Sequence, residues 1–328
     1  LLVVIGVLSA THDIACDGYY MDALDEDAQA RMSGLRVAAF RVAMLVGNAG
    51  LVYVGGRFGW LAGFGFAAVM FVALAAFHQL KLPRGESERR REPAADREDA
   101  PQRAASRLRH VATAYLSFLG QRGALVVLLF ITTYKLGDAL MFSMGKVLLR
   151  DLGVGTETRA LINLVSVLSM IAGATLAGAW IARAGLRRCL LTITLLMALS
   201  EPLYLLLAGA RLPMQLAAAY DVPSSVIALL WRPSLLTIAG VLAIEQFAGG
   251  MATAAQMIFI MRRCHPDHKA AHYAFATALY AFAQMATGTY SGHLYEAQGP
   301  VIYFAVTSVA CIPALLLVNL IPTERRAA

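Results

Sequence analysis

Charged residues are scarce in this sequence, and the motifs of common enzymes are missing. Only 15% of the 328 residues are charged, whereas a soluble domain carries about 25%. There is no P-loop, no G-x-S-x-G and no H-E-x-x-H, so we expect neither an enzyme nor a self-contained ATP-driven pump. The four cysteines are Cys16, Cys189, Cys264 and Cys311. They have neither C-x-x-C spacing nor a histidine at zinc spacing, so we expect free thiols and no metal site.

Apolar residues dominate instead. They make up 59% of the chain, and the mean hydropathy is +0.62. A membrane helix needs about 20 apolar residues, and several runs reach this length. The sequence therefore predicts an all-α membrane protein with nine spans, at roughly 1–22, 36–56, 58–81, 123–149, 158–182, 187–209, 234–262, 270–295 and 299–321.

The net charge of +7 and the pI near 9.4 could indicate nucleic-acid binding, but the positions of the basic residues argue against it. If the stretch after the third span is cytoplasmic, ten Lys or Arg from Lys81 to Arg122 lie inside, with most of the others. Only five lie outside, at Arg57, Arg150, Arg159, Arg211 and Arg232. This is the positive-inside rule, and it predicts a multi-pass protein with a cytoplasmic C-terminus.

The polar stretch at 83–122 divides the chain into a three-helix part at 1–82 and a six-helix bundle at 123–322, followed by a cytoplasmic tail at 323–328. We interpret 83–122 as a basic cytoplasmic linker. Two six-helix bundles around such a loop form the major facilitator architecture. In this topology the first span runs inward, so we expect that three earlier helices of the N-terminal bundle are missing from this chain.

A loop pattern between the fifth and sixth predicted spans supports that architecture. Its residues match the facilitator pattern G-x-x-x-D-R-x-G-R-R at Gly178, Arg183, Gly185, Arg187 and Arg188. Arginines there can bind helix ends and a neighbouring carboxylate, which latches two helices together. The alternative is an ordinary helix hairpin.

Carboxylates inside the predicted spans are candidate proton carriers. Asp13 and Asp17 are four residues apart and share a helix face. A carboxylate at membrane depth is costly and often marks an ion path, because burial lets it load and release a proton near neutral pH. The alternative for both is a structural ion pair or a helix end among lipid headgroups.

Two further spans carry polar groups near the membrane midplane. Lys135 and Asp138 can pair at three-residue spacing beside Tyr134, and we favour function for this pair over a structural role. Another span holds Glu245 and Gln246. The next two glycines, Gly249 and Gly250, allow close helix packing.

The eighth predicted span carries one polar face. Its members follow four-three-four-three spacing, at Tyr273, Thr277, Tyr280, Gln284 and Thr287. Hydroxyl, amide and aromatic groups suit a sugar. The alternative is hydrogen bonding between helices.

Four separated stretches resemble the AmpG muropeptide permeases, a branch of the major facilitator superfamily that also includes acetyl-coenzyme A transporters. They are THDIACDGYY at 11–20, YKLGDA at 134–139, EQFAGGM at 245–251, and 272–292. The resemblance implies a bacterial inner-membrane permease that imports anhydro-muropeptides with protons for cell-wall recycling. The residues matching the family by position are Asp13, Asp17, Lys135, Asp138, Glu245, Gln246 and Gly250.

We therefore predict a monomeric proton symporter that needs no cofactor and works by alternating access. Proton coupling is assigned to Asp13, Asp17, Asp138 and Glu245. Substrate binding is assigned to Tyr134, Lys135, Gln246, Tyr273, Thr277, Tyr280 and Gln284. Two alternatives stay open. One is a carrier of acetyl-coenzyme A or another anionic metabolite, which would require several cations in the cavity, and the other is a non-transporting sensor.

Overall fold

The computed structural model describes residues 2–83, 113–210 and 233–322. Within these ranges every regular element is a helix, and the chain is an all-α membrane protein. Residues 84–112 of the predicted linker at 83–122, and the predicted tail at 323–328, lie outside the described residues.

Four helices precede the linker: α1 Leu2–Ala23, α2 Glu26–Leu45, α3 Leu51–Phe58 and α4 Trp60–Lys81. A π-helical turn, Val46–Gly50, joins α2 to α3. The second predicted span, which starts at residue 36, lies in a helix that begins ten residues earlier. Asp25 caps it by accepting a hydrogen bond from the Ala28 backbone nitrogen at 2.7 Å, and acidic residues in the first turn favour a helix start there.

From residue 123 onward, the described residues form eight helices. They are α5 Ala124–Thr133, α6 Leu136–Asp151, α7 Thr156–Ala184, α8 Leu186–Ser200, α9 Leu203–Gly209, α10 Leu235–Arg263, α11 Lys269–Val309 and α12 Ile312–Leu317. A 3-10 turn, Pro266–His268, precedes α11. The described part before the linker is called the N-terminal part below, and α5–α12 are called the C-terminal bundle.

Several predicted spans are interrupted. One breaks at Lys135, between α5 and α6, where φ is −115° and ψ is 29°. Another breaks at Glu201-Pro202, between α8 and α9, because proline cannot continue the backbone hydrogen bonding of α8. Within α11, Gly299 has φ 76° and ψ 169° and makes a sharp kink.

Among the described residues, six helical segments are long and apolar enough to cross a membrane. They are Trp60–Lys81, Ala124–Asp151, Thr156–Ala184, Leu186–Gly209, Leu235–Arg263 and Pro266–Leu317. The predicted count of nine spans is therefore not confirmed. Large apolar side chains such as Leu125, Leu161 and Leu236 are exposed, as expected of surfaces that face lipid rather than water.

Two long helices of the C-terminal bundle, α7 and α10, cross at glycines. A Cβ at Gly173 would collide with the backbone of Phe247, and a Cβ at Gly250 would collide with the backbone of Met170. Without side chains at these points the two backbones approach closely, which is how membrane helices gain packing energy in the absence of a hydrophobic drive.

One end of the protein gathers the residues next to the linker, and we call it the linker end. There Gln121 donates to the Arg263 carbonyl at 3.1 Å, and Lys269 donates to the Met21 carbonyl at 3.2 Å. A helical stretch at 113–119 also packs there, with the Phe118 ring 5.3 Å from the His272 ring. The bundle therefore begins before residue 123, inside the predicted linker. The opposite end, which holds the turn between α6 and α7, is called the far end.

Candidate functional site

The break between α5 and α6 holds a buried cation. Lys135 is 4% exposed, and its Nζ lies 3.0 Å from Asp138 Oδ2. The same Nζ donates to Thr253 Oγ1 of α10 at 2.9 Å. Asp138 sits in the first turn of α6, where the helix dipole favours a negative charge. The interrupted helix thus supplies both a lysine and a matching carboxylate.

A second carboxylate comes from α10. Glu245 is 1% exposed, and its Oε2 accepts a hydrogen bond from Gln246 Nε2 at 2.9 Å. A Cβ at Gly249 would lie 3.0 Å from Asp138 Oδ1 and 3.5 Å from Glu245 Oε1. Gly249 therefore lies against both carboxylates, and its lack of a side chain leaves room for them.

Two more ionisable groups complete what we call the charge cluster: Arg41, Lys135, Asp138, Glu201 and Glu245. The Arg41 guanidinium of α2 lies within electrostatic reach of Asp138 and Glu245. Glu201 is 1% exposed and lies within electrostatic reach of Asp138, Glu245 and Lys135. The cluster holds two cations and three carboxyl groups, so one bound proton makes it neutral. Because isolated charge is costly in a low-dielectric interior, the arrangement is suited to holding a proton.

A cavity of about 360 Å³ borders the charge cluster. Gln246, the hydrogen-bond partner of Glu245, lines it, and so does Arg41. Leu149, Thr156 and Arg159, near the turn between α6 and α7, also line it, so the cavity extends toward the far end. We call it the central cavity.

At the linker end, by contrast, the N-terminal part and the C-terminal bundle are in contact. Arg36 of α2 forms an ion pair with Asp17 and lies 5.0 Å from the Tyr20 ring and 5.5 Å from the Tyr273 ring of α11. The Arg36–Asp17 pair lies within the N-terminal part, whereas two ion pairs join the two parts, at 3.3 Å for Asp22–Lys269 and 3.6 Å for Glu26–Arg262.

The predicted coupling residues separate into two places. Asp138 and Glu245 meet in the charge cluster, whereas Asp17 lies at the linker end, paired with Arg36. Asp13 is exposed and lies within electrostatic reach of Asp17, four residues further along α1. Its proton role stays a prediction.

The predicted substrate residues also separate. Gln246 lines the central cavity. Tyr134 is completely buried with its ring 4.8 Å from Phe130, and Tyr273 is buried against Arg36, so neither is open to a ligand in this arrangement. The Thr277 hydroxyl donates within its own helix, to the Tyr273 carbonyl at 2.9 Å.

The remaining predicted face residues and the loop pattern are partly as expected. Gln284 donates to the Tyr280 hydroxyl, one turn away on α11. Gly178 packs against Ala30 and Ser33 of α2, and Gly185, with φ 83°, makes the turn between α7 and α8. The arginines of the predicted latch are exposed, and none of them forms an ion pair with another described residue, at Arg183, Arg187 and Arg188. The latch therefore stays a prediction.

Comparison with protein families decides what kind of molecule carries this site. Residues 1–220 of the 328 match the family model described as the Major Facilitator Superfamily. The chain belongs to the Major Facilitator Superfamily. Membership places it with membrane transporters rather than with enzymes, and it agrees with the six apolar helices found in the described residues.

Relatives within the superfamily are distant but match nearly the whole chain. The anhydromuropeptide permease of Escherichia coli K12 is 26% identical over 97% of this chain and 58% of its own length. The AmpG 4 protein of Rickettsia conorii, whose transporter name is provisional, is 25% identical over 99% of this chain and 72% of its own length. An uncharacterized protein of Haemophilus influenzae is 25% identical over 96% of this chain and 69% of its own length. The chain thus spans 58% of the length of the named permease it matches.

Sequence reasoning missed several polar residues around this superfamily member's central cavity. Thr253 accepts a hydrogen bond from Lys135, and no sequence pattern indicates this contact. Arg41 was not missed, because a lone arginine inside an apolar run already indicates a cation of the cavity beside Lys135. Lys146 and Arg159 sit near span ends, where a basic residue normally extends toward the headgroups, so no sequence pattern places them in a cavity.

Proposed function

We propose that this protein imports anhydro-muropeptides together with protons, by alternating access across the bacterial inner membrane. The observation that carries the proposal is the charge cluster beside the central cavity, between two parts that touch at one end. The resemblance to a protein named anhydromuropeptide permease supports the substrate.

The distribution of contacts supports alternating access. Ion pairs and the Arg36–Tyr273 contact join the two parts at the linker end, while the central cavity extends toward the far end. A transporter that rocks around a central site needs a state closed on one side only, and this arrangement fits such a state.

The charge at the linker end supports its assignment to the cytoplasm. Its basic residues include Arg122, Arg262, Arg263 and Lys269, and the exposed arginines around Gly185 are at the ends of α7 and α8. By the positive-inside rule this end faces inward. The far end then faces the periplasm, so the described state is ready to accept substrate from outside.

The lining of the central cavity supports an amphiphilic substrate. Polar groups from Asn163, Ser166 and Gln246 stand beside the apolar side chains of Phe142 and Leu242. Sugar hydroxyls can hydrogen-bond to the former, and acetyl and methyl groups can pack against the latter.

The test is uptake of labelled anhydro-muropeptide by vesicles that contain the full-length protein, with and without a proton uncoupler. We expect accumulation that the uncoupler abolishes, and a Glu245→Gln variant that exchanges substrate without accumulating it. Glu157→Gln, an exposed carboxylate in the first turn of α7, is the control and should accumulate normally. Accumulation unaffected by the uncoupler would refute proton coupling.

One observation favours a second candidate, a carrier of an anionic metabolite such as acetyl-coenzyme A. The central cavity contains more basic residues than the sequence predicted, because Lys146 and Arg159 join Arg41. The same vesicles separate the two candidates, since an anionic-metabolite carrier would take up acetyl-coenzyme A and leave the muropeptide outside.

A further inference from the structure

The charges that line the central cavity are all of one sign. Arg41, Lys146 and Arg159 line it, and no Asp or Glu is found among the described residues of its wall. A neighbouring cavity of about 390 Å³ between α6 and α11 differs, because Arg150 shares it with Asp151 and Glu296. Three like charges around one space repel one another unless an anion lies between them.

Two of these cations have unused hydrogen-bond donors. The Nε atoms of Arg41 and Arg159 are both buried, and neither donates to any residue that the structure describes. The Arg41 Nη2 atom donates to the Met170 sulfur, at 2.6 Å, and a thioether is a weak acceptor. A buried N–H group without a partner is costly, so a ligand that accepts these bonds would be bound favourably.

The three cations come from different elements. Arg41 belongs to α2 of the N-terminal part, whereas Lys146 and Arg159 belong to α6 and α7 of the C-terminal bundle. An anion that contacts Arg41 and Arg159 together would therefore connect the two parts near the far end. Such a ligand would favour closure at that end, which is the next step of an alternating-access cycle.

We propose that Arg41, Lys146 and Arg159 form an anion subsite that receives the acidic groups of the transported molecule. This inference rests on the proposed function for its ligand: in an anhydro-muropeptide the groups are the carboxylates of the peptide. Each guanidinium offers charge-assisted hydrogen bonds to a carboxylate oxygen, and Lys146 adds a point charge. The subsite explains why a sugar-peptide carrier places three cations in one cavity.

The test measures binding to the full-length protein in detergent with three probes: an anhydro-muropeptide with free carboxylates, the same compound with its carboxylates amidated, and acetyl-coenzyme A. We expect the free acid to bind about 10- to 100-fold more tightly than the amide, the ratio that one charge-assisted hydrogen bond provides. This comparison needs no mutation.

Variants then locate the effect. Arg41→Gln and Arg159→Gln should each weaken binding of the free acid about 10-fold or more and leave the amide unchanged, so the difference between the probes shrinks. Arg150→Gln removes the same charge from α6 outside the central cavity and should retain the full difference. Arg159→Lys keeps the charge and should lose less affinity than Arg159→Gln.

Each outcome separates the subsite from the proposed substrate. Equal binding of acid and amide by the unmodified protein would overturn the subsite and leave muropeptide transport standing. Arg41-dependent binding of acetyl-coenzyme A, with no muropeptide binding, would support the subsite and contradict the proposed function. Binding of none of the three probes would overturn both.

Discussion

Lys135 carries its charge inside the protein because two oxygens face its ammonium group, those of Asp138 and Thr253. A buried ion pair adds little net stability, since desolvation offsets the attraction. Removing one partner is different, because the other charge is then buried without compensation. Single substitutions in the pair should therefore disturb the protein strongly.

Replacing Lys135 by Met should lower the free energy of unfolding by about 3–5 kcal/mol, the usual cost of breaking a buried pair. Asp138 would then face Glu245 with its nearest cation gone. Thermal unfolding in detergent measures the change. The double variant Lys135→Met with Asp138→Asn should recover much of the loss, because it removes both charges.

The Arg150–Asp151 pair provides the control for this prediction. Its atoms are 3.6 Å apart, and the Arg150 side chain is 67% exposed, so Arg150→Met should cost only about 0–1 kcal/mol. A Lys135→Met loss as small as the Arg150→Met loss would contradict the account of the buried pair.

The sequence indicated the Lys135–Asp138 pair because three-residue spacing places two side chains on one helical face. It did not indicate that Arg41 and Arg159 line the same cavity. That depends on how α2 docks on α7, which is a tertiary relation that no local spacing encodes. Tyr134 was misassigned for the same reason: its face of the helix packs against Phe130 in the core.

At the scale of elements, the α7–α10 crossing depends on glycines that stand against backbone. Gly250→Ala should lower the free energy of unfolding by about 1–3 kcal/mol, since the added methyl group collides with the Met170 backbone. Thermal unfolding of the purified protein measures this change. The backbone of a packed helix cannot move aside as a flexible side chain could, so the two helices must separate.

Gly240→Ala is the matched control, because it lies on the same helix α10 and a Cβ there meets nothing within 4 Å. Alanine is the better helix former by about 1 kcal/mol, so this variant should be as stable as the parent or more so. Equal stability of the two alanine variants would show that the crossing tolerates a wider spacing.

Apolar run length predicted where most helices lie, but not where they break. The break at Lys135 has no proline or glycine at that position, and hydropathy cannot reveal it. The start of α2 at Glu26 was missed because Asp25, Glu26 and Asp27 resemble a surface loop, although the same residues cap a helix. The kink at Gly299-Pro300 is the exception, because it lies at the predicted boundary between the spans at 270–295 and 299–321.

At the scale of the whole molecule, contacts of Arg36 hold the linker end closed. Arg36→Gln should remove the contact with the Tyr273 ring, which joins the two parts, and the ion pair to Asp17, which lies within the N-terminal part. The equilibrium should then shift toward states open at the linker end, because only the closed state makes the Arg36–Tyr273 contact. Spin labels at the exposed positions Asp27 and Asp267 should then show a larger population at long label-to-label distance.

Arg31→Gln, an exposed position on the same helix, is the control for this prediction. The experiment uses a background in which the exposed Cys16 is replaced by Ser, so that labels attach only at the chosen sites. An Arg36→Gln distance distribution that matches the Arg31→Gln distribution would show that Arg36 does not hold the end closed.

In the proposed transport cycle the charge cluster exchanges a proton as the substrate crosses the membrane. Proteoliposomes containing the full-length protein and a luminal pH dye test it most directly when anhydro-muropeptide is added outside. The account predicts luminal acidification that depends on the substrate, that Asp138→Asn and Glu245→Gln abolish, and that Glu157→Gln leaves intact. Entry of the substrate without acidification in the unmodified protein, or acidification that survives in both cluster variants, would contradict it.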